Sequence, residues 1–310
     1  MGAVFGAVVP RYDLGWGEVL ALAKDYRDWG FRYLWFTDHL QPSRANTVFE
    51  TWTVMAAISQ HIRDARLGTT VLCYSYRHPA VLAKMVATLD HISGGRVELG
   101  LGIGSEPQGE EHEALGIPYQ RGVERYEGFK EYVEVIRILL TAEGTASFRG
   151  RYYTLRNARA NTPPIQKPHP PIWIGARKKR MVKVAAETGF GWNFYGESVE
   201  EYREAVKIFE DACRVYGREP HKIPRALFTS VLVFESEDER VERFRPLPKA
   251  DSVEEVLRRT FTLLYGGPDR ILRQVEELES LGVQQFILRD LDNKSSNLRD
   301  FAGKVLPSLI

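Results

Sequence analysis

The stretch Tyr33-Leu-Trp-Phe-Thr-Asp38-His39-Leu-Gln-Pro42 decides how this chain reads. Four apolar and aromatic residues, too few for a helix and of the kind that fills a buried strand, lead straight into an acid and an imidazole, and Pro42 marks a loop. An acid and a base delivered together at the carboxyl end of a strand lie where barrel enzymes keep their chemistry. The same pair also occurs on ordinary surfaces, so its meaning depends on the segments around it.

Outward from that strand, strand-like and helix-like segments alternate along the chain. Strands are expected over residues 4–9, 33–36, 66–72, 96–101, 172–174, 191–194, 227–234 and 285–288, from short apolar runs bounded by turn residues. Helices are expected over 16–29, 49–61, 79–91, 121–140, 178–188, 198–216, 253–264, 269–281 and 297–309, with Pro79 at a tolerated first-turn position. The rhythm breaks at 141–171, where residues 148–153 read as a short hairpin before a proline-rich connector, and again in the charged segment 235–250. About eight βα units predict one (β/α)8 TIM barrel domain over residues 1–310, with insertions after helix four and strand seven. A doubly wound sheet is the alternative. Its dinucleotide fingerprint is missing, because Gly100-Leu-Gly102-Ile-Gly104 lies mid-chain and lacks the later helix-packing glycine.

Composition narrows the partners. Lysine and arginine total 42 against 41 acidic residues, a net charge of +1, so no overall field draws nucleic acid or an anionic membrane. A small-molecule substrate is expected instead. No apolar run approaches the roughly 20 residues that span a bilayer, and residues near Met1 do not read as an export leader. Cys73 and Cys213 show no metal-ligand or redox spacing, which suits a reducing, cytoplasmic setting, and His112 and His169 have no ligand partners at suitable spacing, so no metal is expected.

Four segments in this order resemble the bacterial-luciferase-like superfamily of flavin- and F420-dependent barrel oxidoreductases: Trp35-Phe-Thr-Asp38-His39; Leu67-Gly-Thr-Thr70-Val71 with Arg77-His78-Pro79; Gly95-Arg96-Val-Glu-Leu-Gly-Leu-Gly102-Ile-Gly104; and Pro171-Ile-Trp-Ile-Gly175. Glu111-His-Glu-Ala-Leu-Gly116 and Gly150-Arg-Tyr-Tyr153 extend the likeness. The resemblance implies an enzyme that transfers hydride between the deazaflavin coenzyme F420 and a small organic substrate. Its alternatives are an FMN-dependent monooxygenase using O2 and a non-catalytic flavin-binding protein, and outside the superfamily a sugar-phosphate or aldol-type barrel. It also implies a homodimer.

By the same resemblance His39 handles the proton, Asp38 positions it and contacts the cofactor, and a non-prolyl cis peptide between Thr70 and Val71 backs the ring. Relatives often carry an acid after the glycine loop; here Ser105 stands at the nearest position and Glu106, one later, is the candidate. Gly102, Ile103 and Gly104 would let backbone approach the cofactor, since glycine has no Cβ. Gly175, Ala176, Arg177 and Lys178 would receive its phosphate at a helix amino end, with Arg177-Lys-Lys-Arg180 either adding charge or forming a basic surface turn. Arg77 reads as a loop charge, Cys73 as an inert core thiol, and Glu110, Glu111 and Glu113 as a solvated helix face.

Overall fold

The computed structural model describes residues 2–42, 45–244, 252–291 and 295–310, with the side chains of Glu106 and Pro107 left out. In chain order the elements are β1 (Val4–Val8), α1 (Trp16–Asp28), β2 (Tyr33–Phe36), α2 (Thr51–His61), β3 (Arg66–Thr69), β4 (Leu72–Cys73), α3 (Pro79–Ser93), β5 (Val97–Gly102), α4 (Glu106–Leu115), α5 (Gly122–Thr141), β6 (Thr145–Arg149), β7 (Thr154–Arg159), β8 (Ile172–Gly175), α6 (Lys179–Thr188), β9 (Gly191–Tyr195), α7 (Val199–Val215), β10 (Arg225–Val233), α8 (Glu237–Phe244), α9 (Val253–Arg259), β11 (Thr262–Gly266), α10 (Pro268–Ser280), β12 (Gln285–Arg289) and α11 (Ser296–Lys304). The parallel strands close on one another as the expected (β/α)8 barrel.

The chain divides into two compact units. In the unit made of Met1–Pro10, Trp16–Trp35 and Ala176–Ile310, β2 pairs with β1, β1 with β12, β12 with β10 and β10 with β9, all parallel. Strands covered on both faces lose their polar alternation, and β12 accordingly buries Gln285 to Leu288 in succession. Phe5 and Phe286 stack at 5.1 Å between neighbouring strands, and Phe301 of α11 packs on Phe5 at 5.6 Å.

In the unit made of Arg11–Gly15 and Phe36–Gly175, β5 lies between β3 and β8, and β4 carries on the pairing with β5. The insertion after the fourth barrel helix is the antiparallel pair β6 and β7. The sequence reading of a hairpin confined to 148–153 is corrected: those residues are mostly its turn, closed by Gly150 N–H donating to Tyr153 O at 2.9 Å. A second correction falls at 253–264. The helix stops at Arg259 because Phe261 takes a left-handed φ of 54°, and Thr262–Gly266 pairs with the carboxyl half of β10.

Candidate active site

The turn after β2 is built first from its carbonyls. Arg11, almost fully buried, donates to Thr37 O at 2.6 and 3.1 Å, to His39 O at 3.2 Å and to Phe49 O. A rigid guanidinium with five donors can serve several carbonyls at once, and so it holds the turn in one shape. Thr51 Oγ1 adds a 2.6 Å bond to Thr37 O, and Gln108 Nε2 donates to Asp38 O at 2.6 Å.

The Asp38 side chain is wholly buried. Its carboxylate accepts from Cys73 N at 2.9 Å and from both terminal nitrogens of Arg77 at 2.8 and 3.1 Å. Arg77 also reaches Glu50, whose carboxyl burial would raise but hydrogen bonds from Thr53, Trp52 and Arg77 hold down at about 2. Two expectations change here. Arg77 is not a loop charge but the centre of a buried ion-pair cluster, and Asp38 faces that cluster, where its oxygens are taken up, and gives no hydrogen bond to His39.

His39 is instead held by Glu111 of α4, with Nδ1 2.5 Å from Glu111 Oε1. The other carboxylate oxygen accepts from the amides of Leu40 at 2.9 Å and Gln41 at 3.0 Å and from the Tyr76 hydroxyl at 3.0 Å. Burial would push the Glu111 carboxyl up, but the bonds from His39, Gln41 and Leu40 outweigh it and hold it at about 2. The solvated-face reading of Glu111 is therefore corrected: only 5% of the residue is exposed. His39 keeps 30% of its side chain exposed, and its Nε2 has no hydrogen-bond partner among the described residues.

Behind this pair the same helix places a second buried imidazole. His112 Nδ1 donates to Gln108 O, its Nε2 lies 2.6 Å from Ser75 Oγ, and its ring stacks on Tyr76 with centroids 4.3 Å apart. Gln108, Glu111 and His112 share one face of α4 by their three- and four-residue spacing, which is the sequence signal that would have marked Glu111 as inward-facing. The Cys73 thiol lies 3.2 Å from Ser75 Oγ, and burial pushes it up to about 11, in keeping with an inert thiol.

The bond between Thr70 and Val71 is cis, as the resemblance implied, and both residues are partly exposed. The glycines opposite also serve the packing of the strand end. A Cβ on Gly102 would lie 2.5 Å from Val71 Cγ2, one on Gly175 2.8 Å from the same atom, and one on Gly100 1.9 Å from Thr69 O. The missing side chains thus make room for the strand end itself. Gly104 has φ 80°, and Arg125 donates to Ile103 O at 2.9 Å and to Gly104 O, which fixes this loop. The candidate acid Glu106 opens α4, and its side chain lies outside the described residues.

In the other unit, Ala176 N–H is used by Asn193 O at 2.9 Å. Arg177 donates to Glu197 at 2.6 Å and to Glu201 at 2.7 and 3.1 Å, so its charge is offset by two carboxylates. Lys178 is exposed and stands as the cap residue before α6. Among the described residues no group of three or more His, Cys, Asp or Glu is arranged to hold a metal ion.

The chain is thus a parallel barrel whose second strand runs into an imidazole held by a buried carboxylate of α4. The chain belongs to the luciferase-like monooxygenase family, whose model matches residues 5–252. A relative described as an F420-dependent hydroxymycolic acid dehydrogenase, from Mycobacterium tuberculosis (strain ATCC 25618 / H37Rv), is 29% identical over 219 residues, covering 69% of this chain and 59% of the relative. The chain thus spans well under two thirds of that curated relative. Among solved structures, an F420-dependent secondary alcohol dehydrogenase in complex with an F420-acetone adduct superposes with TM-score 0.83 at 20% identity over the whole of both chains. The coenzyme F420 dependent tetrahydromethanopterin reductase from Methanopyrus kandleri gives 0.80 at 22% identity over 100% of this chain and 99% of its own. Both likenesses establish the fold.

Proposed function

We propose that this chain is an oxidoreductase that moves hydride between coenzyme F420 and an alcohol or carbonyl carbon of a small organic substrate, with His39 exchanging the proton. The observation that carries this reading is the half-engaged imidazole: Nδ1 is held by a buried carboxylate while Nε2, without a partner among the described residues, is left for a substrate. The names of the relatives supply the coenzyme and the alcohol chemistry.

The residues present fit a flat ring with an anionic tail. Val71 stays partly exposed although Gly102 and Gly175 pack against it, which leaves a firm apolar surface for a ring. Thr70, Ile103 and Gly104 would border it, and Lys178 with the first amides of α6 would receive a phosphate. Bound, the deazaflavin supplies a ring carbon that accepts or gives hydride; FMN, the alternative, would permit oxygen chemistry. A cytoplasmic location and a homodimer belong to the same reading, supported by two unbridged buried cysteines and by the family resemblance respectively.

Absorbance and fluorescence titration with F420 and with FMN tests the proposal, followed by turnover of a panel of secondary alcohols. Micromolar or tighter F420 binding, about 8 kcal/mol, with substrate-dependent loss of the oxidised coenzyme's fluorescence is expected. Tighter FMN binding with oxygen uptake would replace it.

A further inference from the structure

We propose that Glu111 is a positioning residue that fixes which nitrogen of His39 carries the proton, holding the ring as the Nδ1–H tautomer and reserving the Nε2 lone pair for a ligand. The argument starts from the oxygen that His39 does not touch. Glu111 Oε2 accepts three donors, the amides of Leu40 and Gln41 and the Tyr76 hydroxyl, at 2.9, 3.0 and 3.0 Å. The two amides cannot rotate, since the carbonyls of Thr37 and His39 in the same turn are gripped by Arg11. Tyr76 cannot swing either: its ring lies at 11° to that of His112, which Ser75 and Gln108 hold. Three fixed donors therefore set the plane of the carboxylate, and among the described residues Oε1 is left with one partner, His39 Nδ1 at 2.5 Å. An ionised carboxylate only accepts, so Nδ1 must be the protonated nitrogen.

The catalytic consequence rests on the hydride-transfer reading above. In the oxidative direction the electron pair of the substrate C–H bond leaves as hydride to the coenzyme, the O–H pair becomes the carbonyl π bond, and the proton passes to Nε2. Reduction reverses each transfer. An Nε2–H tautomer cannot accept that proton.

Glu111→Gln separates this role from mere support. Glutamine keeps the shape but offers one acceptor oxygen and one NH2 group. Facing three immobile donors, the oxygen turns toward them, which aims the NH2 at Nδ1 and favours the Nε2–H tautomer of His39. The tautomer is read by 15N NMR of histidine-labelled protein, with His39 identified by its loss in His39→Gln. Wild type should show Nδ1–H and Glu111→Gln should show Nε2–H, with kcat for alcohol oxidation about a hundredfold lower and F420 affinity within about threefold. Tyr76→Phe, which removes one donor and leaves the carboxylate accepting, should keep Nδ1–H. Glu111→Asp, the conservative variant, should also keep it and retain more activity than Glu111→Gln, and it carries the test if Glu111→Gln does not fold.

An Nε2–H wild type, an unchanged tautomer in folded Glu111→Gln, or an Nε2–H tautomer in Glu111→Asp would overturn the proposal. An inverted tautomer in Glu111→Gln alongside a wild type that neither binds F420 nor turns over would support the proton assignment and defeat the functional reading alone.

Discussion

Asp38 and Arg77 meet through hydrogen bonds of 2.8 and 3.1 Å with the Asp38 side chain wholly removed from solvent. The acid adjacent to the imidazole in sequence thus anchors the strand ends, while the imidazole takes its carboxylate from a helix 72 residues further on. Breaking a buried ion pair by removing one member leaves the other charge desolvated. Asp38→Ala should therefore lose about 3 kcal/mol in urea unfolding, cushioned only by the Arg77–Glu50 contact. A loss under about 0.5 kcal/mol would mean that the cluster relaxes without it.

Gly102 and Val71 form a second coupled pair. Gly102→Ala puts a Cβ 2.5 Å from a methyl of a β-branched side chain that has little rotamer freedom, and should destabilise by about 1–3 kcal/mol. Truncating the neighbour in Gly102→Ala/Val71→Ala should recover part of that loss. A double-mutant cycle reads the coupling, and additive losses would show that the clash is not the cause.

Acid should weaken the site region in a defined window. The Glu111 carboxyl lies at about 2 when folded against an ordinary value of 4.5, so its contribution is complete above about 4.5 and is lost as pH falls toward 2. The shift corresponds to about 3 kcal/mol at most. The difference in unfolding free energy between wild type and Glu111→Gln should accordingly shrink between pH 5 and pH 2.5. A constant difference across that range would assign the effect to packing.

His39→Ala should lower turnover about a hundredfold, the usual scale for losing a general acid or base, with F420 affinity changed less than several-fold. Single-turnover kinetics make the comparison on the chemical step. An unaltered rate there would remove His39 from the reaction.

At the amino end of α6 the two basic residues should behave differently. Lys178→Gln should weaken F420 about tenfold while leaving a dephosphorylated analogue nearly unaffected, the scale of one charge-assisted hydrogen bond. Arg177→Gln should act mainly on stability, because it leaves Glu197 and Glu201 without their shared cation. Parallel titrations and melts separate the two, and a larger affinity loss at Arg177 would show that phosphate displaces its carboxylates.

Most of the barrel strands were legible because they are short, largely apolar runs such as Tyr33–Phe36, and a strand buried on both faces needs no partner information to be recognised. Helix 253–264 misread for the opposite reason: Thr262–Gly266 is apolar enough for either structure, and pairing with β10 together with the left-handed Phe261 decided it. By itself the sequence determined the barrel and the place of His39 at a strand end; the cis bond between Thr70 and Val71 came from the family resemblance, since the residues alone read there as a plain strand end. Only the tertiary structure decided the partners: Glu111 for His39, Arg77 for Asp38, Val71 for the glycines, and Glu197 with Glu201 for Arg177. The physical reason is range. Hydrophobic periodicity and turn chemistry act over neighbouring residues, whereas which of 41 acidic side chains reaches a given cation or imidazole depends on distances the fold alone sets between remote parts of the chain.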